Sequence, residues 1–309
     1  MPTSATSRRR FTFTLEPIVG RRFQPTGFPD LGAALYNVPG EENRNKEDLL
    51  VESSQSMANH LEGTTWNLAV HRPAGAVAAL PYVRVVDPNG EFLTSSRLEA
   101  HRLASAYVLK GKLDGKEMSS VLPERFGLIK GKPLNLGRVY REIFALDPLS
   151  LVHGVFFAQK WAWQPKVARA VTAFIEAEDA IPAVSGGVKK DSVNNEAEKG
   201  VRDAKDGYGM VPHHRTEYTA AAITLYVVID EQQFASYGLS ESATELLSAV
   251  ANWELATLLS SGLRLRTACD LVVTSGDEVP DLSAASDRLA SAIAAVSDEL
   301  APVTEVVFG

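Results

Sequence analysis

The chain has 309 residues, of which 45% are hydrophobic and 22% are charged, with a net charge of -7 and one cysteine. This balance excludes a wholly disordered chain, because enough apolar surface exists to form a core. No apolar run approaches the roughly 18 residues of a membrane helix, and we expect the basic N-terminus to be a tail rather than a secretory signal. Cys269 is the single cysteine, so an internal disulfide and a cysteine zinc cluster are excluded. We expect a cytoplasmic protein without a metal or cofactor.

The charged residues are unevenly distributed along the chain. Residues 227–309 contain thirteen acidic and three basic residues, whereas residues 102–141 contain nine basic and three acidic ones. Residues 8–22 contain five arginines and one glutamate. Because salt screens charges beyond about 10 Å, a polyanion responds to local patches rather than to net charge. Two interpretations stay open for the basic patches, a solvated face or a nucleic-acid surface. The acidic part is also a candidate for a head-to-tail contact with a neighbouring copy.

Several elements are predicted in the N-terminal half of the chain. Alternating apolar and polar residues predict a strand at 9–19, followed by a polar loop rich in glycine and proline at 20–29. An amphipathic pattern predicts a helix at 49–62. Short apolar runs and one helical pattern make the stretch 63–132 an insertion with its own small structure. A helix with proline at its start is predicted at 133–146.

The C-terminal half alternates between strands and helices. The predicted strands are 151–157, 169–178, 217–229, 263–274 and 303–308. The predicted helices run from Ser240 or Ser242 to Leu259, with Gly262 after the end, and from Leu282 to Leu300. The stretch 185–216 contains five glycines and almost no large apolar residues. It cannot form a core, so we expect a mobile excursion that forms the tip of a long hairpin.

Without its insertions, the chain has the order strand, helix, strand, strand, helix, strand. This order predicts a single α+β domain, residues 1–309, with a ferredoxin-like core of the kind found in RNA-recognition motifs. Many functions share this fold, so it defines no activity by itself. The sequence contains no phosphate-binding loop, dinucleotide motif, zinc-protease motif or nucleophile elbow. His213 and His214 are adjacent, and adjacent side chains on a strand point to opposite faces, so this spacing is poor for a shared metal. An RNA contact or an acid/base role remains open for both.

Eleven basic or polar residues are candidates for binding RNA. They are Arg21, Arg22, Gln55, Asn59, Lys189, Lys190, His213, His214, Arg215, Arg264 and Arg266. Arg21 and Arg22 precede Phe23, and arginine beside an aromatic ring is typical of sites that stack bases and neutralise phosphates. Arg264 and Arg266 alternate along a strand, so we expect both to leave the sheet on one face.

Six stretches of the sequence carry a resemblance to a known family: Arg22–Ala33, Glu52–Gly63, Thr94–Ala104, Ser185–Ser192, Val211–Ala220 and Gly262–Val272. The family that they resemble is the RAMP backbone subunit of type I CRISPR effector complexes, in the variant of subtype I-U, also called I-G. The six stretches follow one another in order from about residue 21 to about residue 271, which is most of the chain.

The resemblance implies a Cascade-type role. Copies of such a subunit line up head to tail along a CRISPR RNA, grip its backbone, and present its bases for pairing with target DNA beside other Cascade subunits. A modified RNA-recognition core forms a palm, here with Arg21, Arg22, Gln55 and Asn59. A hairpin forms a thumb, here Lys189–Arg215, that reaches the next copy. Type I backbone subunits are not enzymes, and Asp30 is the nearest counterpart of the acidic residue with which type III relatives cut RNA.

Two other functions remain open at this point. One is a RAMP endoribonuclease that processes CRISPR RNA with His213 or His214, because such enzymes need an acid/base pair near the phosphodiester. The other is a protein-interaction module that binds no RNA.

Overall fold

The computed structural model describes residues 8–28, 31–39, 46–189, 192, 204–207, 209 and 211–309. The strands in these residues are β1 (Arg9–Pro17), β2 (Gly27–Phe28), β3 (Gly32–Val38), β4 (Lys46–Glu52), β5 (Trp66–Asn67), β6 (Arg72–Pro73), β7 (Val83–Val86), β8 (Phe92–Ser95), β9 (Lys112–Leu113), β10 (Lys116–Glu117), β11 (Val155–Phe156), β12 (Lys166–Val167), β13 (Val171–Glu178), β14 (Ile181–Lys189), β15 (Val211–Thr219), β16 (Ala222–Ile229), β17 (Leu263–Arg266), β18 (Cys269–Gly276) and β19 (Thr304–Val307). The helices are α1 (Ser54–Gly63), α2 (Ala106–Lys110), α3 (Met118–Phe126), α4 (Leu136–Leu146), α5 (Leu149–His153), α6 (Glu231–Ser236), α7 (Glu241–Ser261) and α8 (Leu282–Ala295). The chain therefore mixes helices and strands, as its sequence predicts.

The main sheet has the strand order β17-β18-β1-β16-β13-β4-β3-β2. Its central strand β1 alternates, because Phe11, Phe13 and Leu15 are buried while the residues between them are exposed. Helix α1 packs against β13 and against α7, so both helices lie over the buried face. Along the chain, β1, α1, β13, β16, α7 and β18 follow one another, and the four strands lie in the spatial order β18-β1-β16-β13.

Helix α7 is the central helix of the core. Ser240 caps its N-terminus, since its hydroxyl accepts a hydrogen bond from the Ala243 N–H at 3.0 Å. Of the two serines that the sequence left open, the cap is therefore Ser240. The helix ends at Gly262, whose φ of 82° is a conformation that favours glycine. The C-terminal stop predicted from the sequence is thus confirmed.

The stretch 63–132 contributes four strands to a second sheet, whose order is β10-β9-β19-β7-β8. Strand β19, from the C-terminus of the chain, lies in the middle of this sheet and pairs in parallel with β7. Arg84 on β7 also forms an ion pair with Glu305 on β19 at 3.3 Å. The acidic C-terminal part therefore meets the insertion within one chain.

A long hairpin leaves the main sheet. Strands β14 and β15 pair from Ile181 opposite Thr219 to Lys189 opposite Val211. Strand β14 follows β13 and β15 precedes β16, and the pairing of β13 with β16 extends to Glu178 opposite Ala222. The side chains of Ile181, Val184 and Val188 are exposed on this hairpin. The hairpin expected from the sequence is present, and it begins four residues before 185.

Several predicted elements differ from the structure. The strand predicted at 263–274 is the antiparallel hairpin of β17 and β18, and the helix predicted at 133–146 starts at Leu136 after the cap Asn135. Residues 49–52 belong to strand β4, since Leu49 and Val51 alternate into the core, and α1 starts after Ser53. The predicted strand at 151–157 contains part of helix α5 followed by the short strand β11. The strand predicted at 217–229 is divided between β15 and β16, which lie in different sheets, and the last helix ends at Ala295.

Within the residues that the structure describes, no helix is long and apolar enough to cross a membrane.

Candidate nucleic-acid interface

The polar loop after β1 is held in place by backbone hydrogen bonds to three different strands or turns. Phe23, which is completely buried, exchanges two hydrogen bonds with Tyr218 of β15, at 2.9 and 2.8 Å. The Gln24 N–H donates to the Ala268 carbonyl at 2.7 Å. The Thr26 N–H donates to the carbonyl of Val51 at 2.8 Å. This loop therefore has a defined position between the base of the hairpin and the turn after β17.

A cleft of about 640 Å³ opens between this loop and the hairpin base. Its lining is mostly polar or backbone, and consists of Gln24, Pro25, Thr26, Gly27, Gly32, Ala33, His214, Arg215, Thr216, Tyr218 and Arg266. Gly27 lies so close to the next strand that a Cβ there would approach the Gly32 carbonyl oxygen to 2.8 Å. Its lack of a side chain keeps β2 against β3. The cleft brings together His214, Arg215 and Arg266, which the sequence selected from separate regions.

Glu217 joins two of the candidate arginines. The Arg215 side chain donates to Glu217 Oε1 at 2.9 Å, and Arg22 forms an ion pair with Glu217 Oε2 at 3.0 Å. The Glu217 side chain is 5% exposed, whereas that of Arg22 is 57% exposed. Two guanidinium groups thus face one carboxylate, and Arg21, the neighbour of Arg22 in the chain, is exposed. This rim of the cleft is therefore positive and accessible to an anion.

Arg266 is held differently, on the inner side of the cleft. It forms an ion pair with Glu52, whose side chain is completely buried, and it donates to the Gln24 carbonyl at 2.7 Å. Burial lowers the pKa of Arg266. Arg266 thus connects β17 to the end of β4, and its charge is matched by Glu52.

Two kinds of side chain near the cleft bear on nucleophilic and metal chemistry. Cys269 is buried next to Arg266, and burial raises the pKa of its thiol to about 11. At neutral pH the thiolate nucleophile is therefore scarce. His214 lines the cleft, and the side chain of His213 lies outside the described part. Among the described residues, no group of three or more histidine, cysteine or acidic side chains is arranged to hold a metal ion.

Gln55 and Asn59 lie on the exposed side of α1 and do not line the cleft. The Gln55 side-chain oxygen accepts a hydrogen bond from Arg169 at 2.8 Å, and Arg169 also donates to the Ser54 carbonyl at 2.9 Å. Asn59 instead lines a smaller pocket of about 190 Å³ between α1 and the loop after β8. The two residues thus form a second polar region, with Arg169 as a member that sequence reasoning missed.

The remaining candidates are scattered. Lys189 is exposed at the far end of the described hairpin, and Lys190 lies outside the described residues. Arg264 is exposed opposite Asp270, whereas Arg266 is half-buried after an irregularity in the pairing of β17 with β18. The two arginines therefore have different surroundings, contrary to the expectation from simple alternation. Whether any of these residues binds RNA stays a prediction.

Four cleft residues with polar side chains were not singled out from the sequence, namely Gln24, Thr26, Thr216 and Tyr218. Gln24 and Thr26 belong to the loop whose glycine and proline content was noted, and Tyr218 follows the predicted hairpin tip. The buried carboxylates of Glu52 and Glu217 were also missed. No local pattern marks them, because their role depends on arginines that are distant in sequence.

Comparisons with known proteins give one family and a group of solved structures. Residues 10–182 match the family described as CRISPR-associated protein GSU0053. No curated protein matches the chain significantly. A chain of a "CRISPR RNA-guided surveillance complex, pre-nicking" is similar with 13% identity and a TM-score of 0.41, covering 85% of this chain and 73% of that one. The crystal structure of Thermofilum pendens Csc2 is similar with 10% identity and a TM-score of 0.31, covering 92% and 71%.

Proposed function

Because the chain belongs to the CRISPR-associated protein GSU0053 family, whose match covers more than half of its residues, we propose that it is the CRISPR RNA-binding backbone subunit of a type I Cascade complex. The match confirms the CRISPR-associated family inferred from the sequence. The subtype is I-U (I-G), and the protein works in the cytoplasm in defence against viruses. Its copies hold one guide RNA and present it for pairing with target DNA.

The cleft is the observation that carries this proposal. It is open to solvent and lined by Arg215, and the exposed Arg22 forms an ion pair with Glu217 beside Arg215. Arg21, next to Arg22 in the chain, is also exposed. Backbone groups and hydroxyls complete its lining. Such groups bind phosphates and riboses, which carry no sequence information. A backbone subunit needs this chemistry, because it has to accept any spacer sequence.

The strand order supports a ferredoxin-like palm. The order β18-β1-β16-β13, with helices after the first and third of these strands along the chain, is the arrangement of that fold. The hairpin of β14 and β15 is the thumb of this proposal. It leaves the palm beside the cleft, and its exposed Ile181, Val184 and Val188 are suited to packing against RNA bases or the next copy. Head-to-tail repetition of this contact gives a filament on the guide.

We also propose that the subunit does not cut RNA. General acid/base cleavage needs two proton-transferring groups near one phosphodiester. Of the described side chains that line the cleft, the imidazole of His214 is one proton-transferring group, and its neighbours are arginines and hydroxyls. Purified protein incubated with CRISPR repeat RNA should leave the RNA intact. Specific cleavage that His214→Ala abolishes would overturn this part of the proposal.

The binding test uses the salt dependence of affinity. Protein produced with a CRISPR array should co-purify with RNA of uniform length. For single-stranded RNA, log K should fall with log salt by about 0.7 for each phosphate neutralised. The double variant Arg21→Ala/Arg22→Ala should flatten this slope equally for unrelated spacer sequences. The matched control is Arg72→Ala/Arg84→Ala, which removes two guanidinium groups from the insertion.

Two results would contradict the proposal. Protein that co-purifies with no RNA and shows no salt-sensitive binding would indicate a protein-interaction module instead. A loss that depends on spacer sequence would indicate base recognition, which is inconsistent with a cleft that contacts the sugar-phosphate backbone.

A further inference from the structure

The main sheet has a second face, opposite to α1 and α7, that is open to solvent. On β1 the outward residues Arg10, Thr12 and Thr14 are exposed, whereas Phe11 and Phe13 between them are buried. Most outward residues of β13 and β16 are half-buried, because they pack against one another. Within the described residues, no helix lies over them. A shallow groove of about 770 Å³ runs over this face.

Two aromatic rings lie side by side in this groove. Phe174 of β13 is directly opposite Tyr226 of β16, and Tyr226 is directly opposite Thr12 of β1. The ring centroids of Phe174 and Tyr226 are 5.3 Å apart, and the ring planes are inclined by 33°. Phe174 and Tyr226 point away from the core, which is formed by the buried residues on either side of each in its strand. The core therefore does not require an aromatic ring at either position. The rings form a flat apolar platform at the centre of the sheet.

A cation without a partner lies next to this platform. Arg10 is opposite Val228, one row along the sheet from the two rings, and lines the same groove. A long side chain reaches such a diagonal position. Arg8 pairs with Asp230 at 2.9 Å and Arg9 with Glu231 at 3.6 Å, whereas Arg10 is exposed and has no ion pair among the described residues.

Besides the paired Arg8 and Arg9, the other charges near this face are negative. Glu16 lies near the opposite end of β1, and Glu176 lies one row beyond Phe174. Burial and the neighbouring Glu176 carboxylate raise the pKa of Tyr36, so this hydroxyl stays neutral beside Glu176. Asp277 at the groove margin accepts a hydrogen bond from the Thr12 N–H at 2.8 Å. We therefore expect an anion to bind at the Arg10 end of the groove rather than at the end near Glu176.

We propose that the pair Phe174 and Tyr226 stacks a base of a single-stranded nucleic acid whose phosphate is bound by Arg10. Aromatic rings bind every base through its π-face, and an adjacent guanidinium supplies the charge that a phosphate needs. A second copy of this chain fits less well, because threonines and an unpaired arginine surround the rings. The inference rests on the proposed function, but it concerns a face that does not include the cleft.

The test measures binding of fluorescein-labelled oligouridine and oligodeoxyuridine to the Arg21→Ala/Arg22→Ala protein, in which the cleft is weakened. Phe174→Leu and Tyr226→Leu keep apolar volume and remove a ring, and each should weaken binding about 5-fold or more. Tyr226→Phe keeps the ring and should bind like its parent. Val272→Ala, an exposed position on β18 outside the groove, is the matched control. Thermal melting checks that each variant is folded.

Ultraviolet cross-linking of the same oligonucleotides, followed by peptide mapping, locates the contact. Cross-links at Phe174 or Tyr226 support the proposal, and a preference for oligouridine would assign the site to the guide rather than to a DNA strand. Unchanged affinity of both leucine variants, with cross-links confined to the cleft, would overturn the sheet site and leave the proposed function intact. If both leucine variants keep their affinity for the oligonucleotides but lose self-association, the face is an interface between copies and the proposed nucleic-acid site is overturned. Absence of binding to wild-type protein in every assay would overturn both proposals.

Discussion

Arg102 and Arg22 differ in how far their charge is available to a ligand. Arg102 lies at the junction of the insertion with the core, and Arg22 lies near the cleft. Arg102 donates to both carboxylate oxygens of Glu62 at 2.6 Å and to the Gly154 carbonyl at 2.9 Å, and its side chain is 10% exposed. Arg22 pairs with Glu217, but more than half of its side chain is exposed. A buried pair is difficult to separate, whereas an exposed arginine exchanges its partner at little cost. Only the second kind is available to RNA.

The basic stretch 102–141 shows why this difference matters. Its nine Lys and Arg residues predict a positive surface, but three of its arginines are engaged within the chain. Besides Arg102, Arg125 donates to Glu142 at 2.8 Å, and Arg138 donates to the Arg125 carbonyl at 2.7 Å. The surface charge is therefore smaller than the count along the sequence. A filament built on attraction between this stretch and the acidic C-terminal part stays a proposal.

Among the variants that test this difference between buried and exposed arginines, Arg102→Ala should have the largest effect on the free energy of unfolding. This variant leaves the carboxylate of Glu62 without its partner, so the free energy of unfolding should fall by about 3–5 kcal/mol. Chemical denaturation measures this value. Arg264→Ala, at an exposed site, should change it by no more than about 0.5 kcal/mol. The double variant Arg102→Met/Glu62→Met should recover most of the loss, because it removes both charges together.

Equal effects of Arg102→Ala and Arg264→Ala would break the distinction between structural and available arginines. RNA affinity gives a second readout. Arg102→Ala protein that remains folded should bind RNA with an unchanged salt slope, whereas the variants at Arg21 and Arg22 should not.

An intermediate effect concerns pH and the buried pair of His153 and Glu254. His153 Nε2 lies 2.9 Å from Glu254 Oε2, and neither side chain is exposed. Burial alone would lower the pKa of His153, but the carboxylates of Glu254 and Glu62 outweigh it and raise that pKa. The folded protein therefore holds this proton at a pH where the unfolded chain has released it. The resulting stability is fully present below the ordinary histidine pKa of about 6.5 and is lost as pH rises through the folded value.

We expect the free energy of unfolding to fall as pH rises above about 6.5, by up to about 1.4 kcal/mol per pH unit for this one proton. Denaturation curves at a series of pH values measure the slope. His153→Gln should remove it. His60→Gln is the contrast. Burial lowers the pKa of His60, so the unfolded chain binds this proton more readily than the folded protein. His60 therefore lowers the free energy of unfolding as pH falls, and His60→Gln should remove that effect. A slope that His153→Gln leaves unchanged would show that the pair does not hold the proton.

The smallest expected effect on stability is at the hairpin. Replacement of residues 187–212 by a short Gly/Ser linker should change the free energy of unfolding by no more than about 1 kcal/mol. The remaining pairs between β14 and β15, from Ile181 to Gly186, stay in place. The same variant should lose protection of the guide against nuclease in the assembled complex, if the hairpin is the thumb. Unfolding of the variant would show that the hairpin belongs to the core, and full protection would show that it is not the thumb.

Much of the architecture was predictable from local patterns. Alternation identified β1 and β13, and Ser240 and Gly262 marked the ends of α7. The composition of 185–216 predicted a protruding hairpin, because a glycine-rich segment without large apolar residues cannot bury a core. The resemblance of six stretches, with the matching family, identified the CRISPR association. These features depend on neighbouring residues, so a single sequence contains them.

Tertiary structure alone decided which charges are free. Glu62 and Arg102 are forty residues apart, and Arg22 and Glu217 are still more distant, so no local pattern reveals that they pair. The placement of β19 in the middle of the insertion's sheet likewise depends on backbone pairing between distant segments. The open aromatic platform of Phe174 and Tyr226 exists because two strands lie in register on a face that no helix of the described residues covers. Long-range pairing and burial set the environment of each side chain, and that environment determines whether a charge or a ring holds the fold or remains available to a ligand.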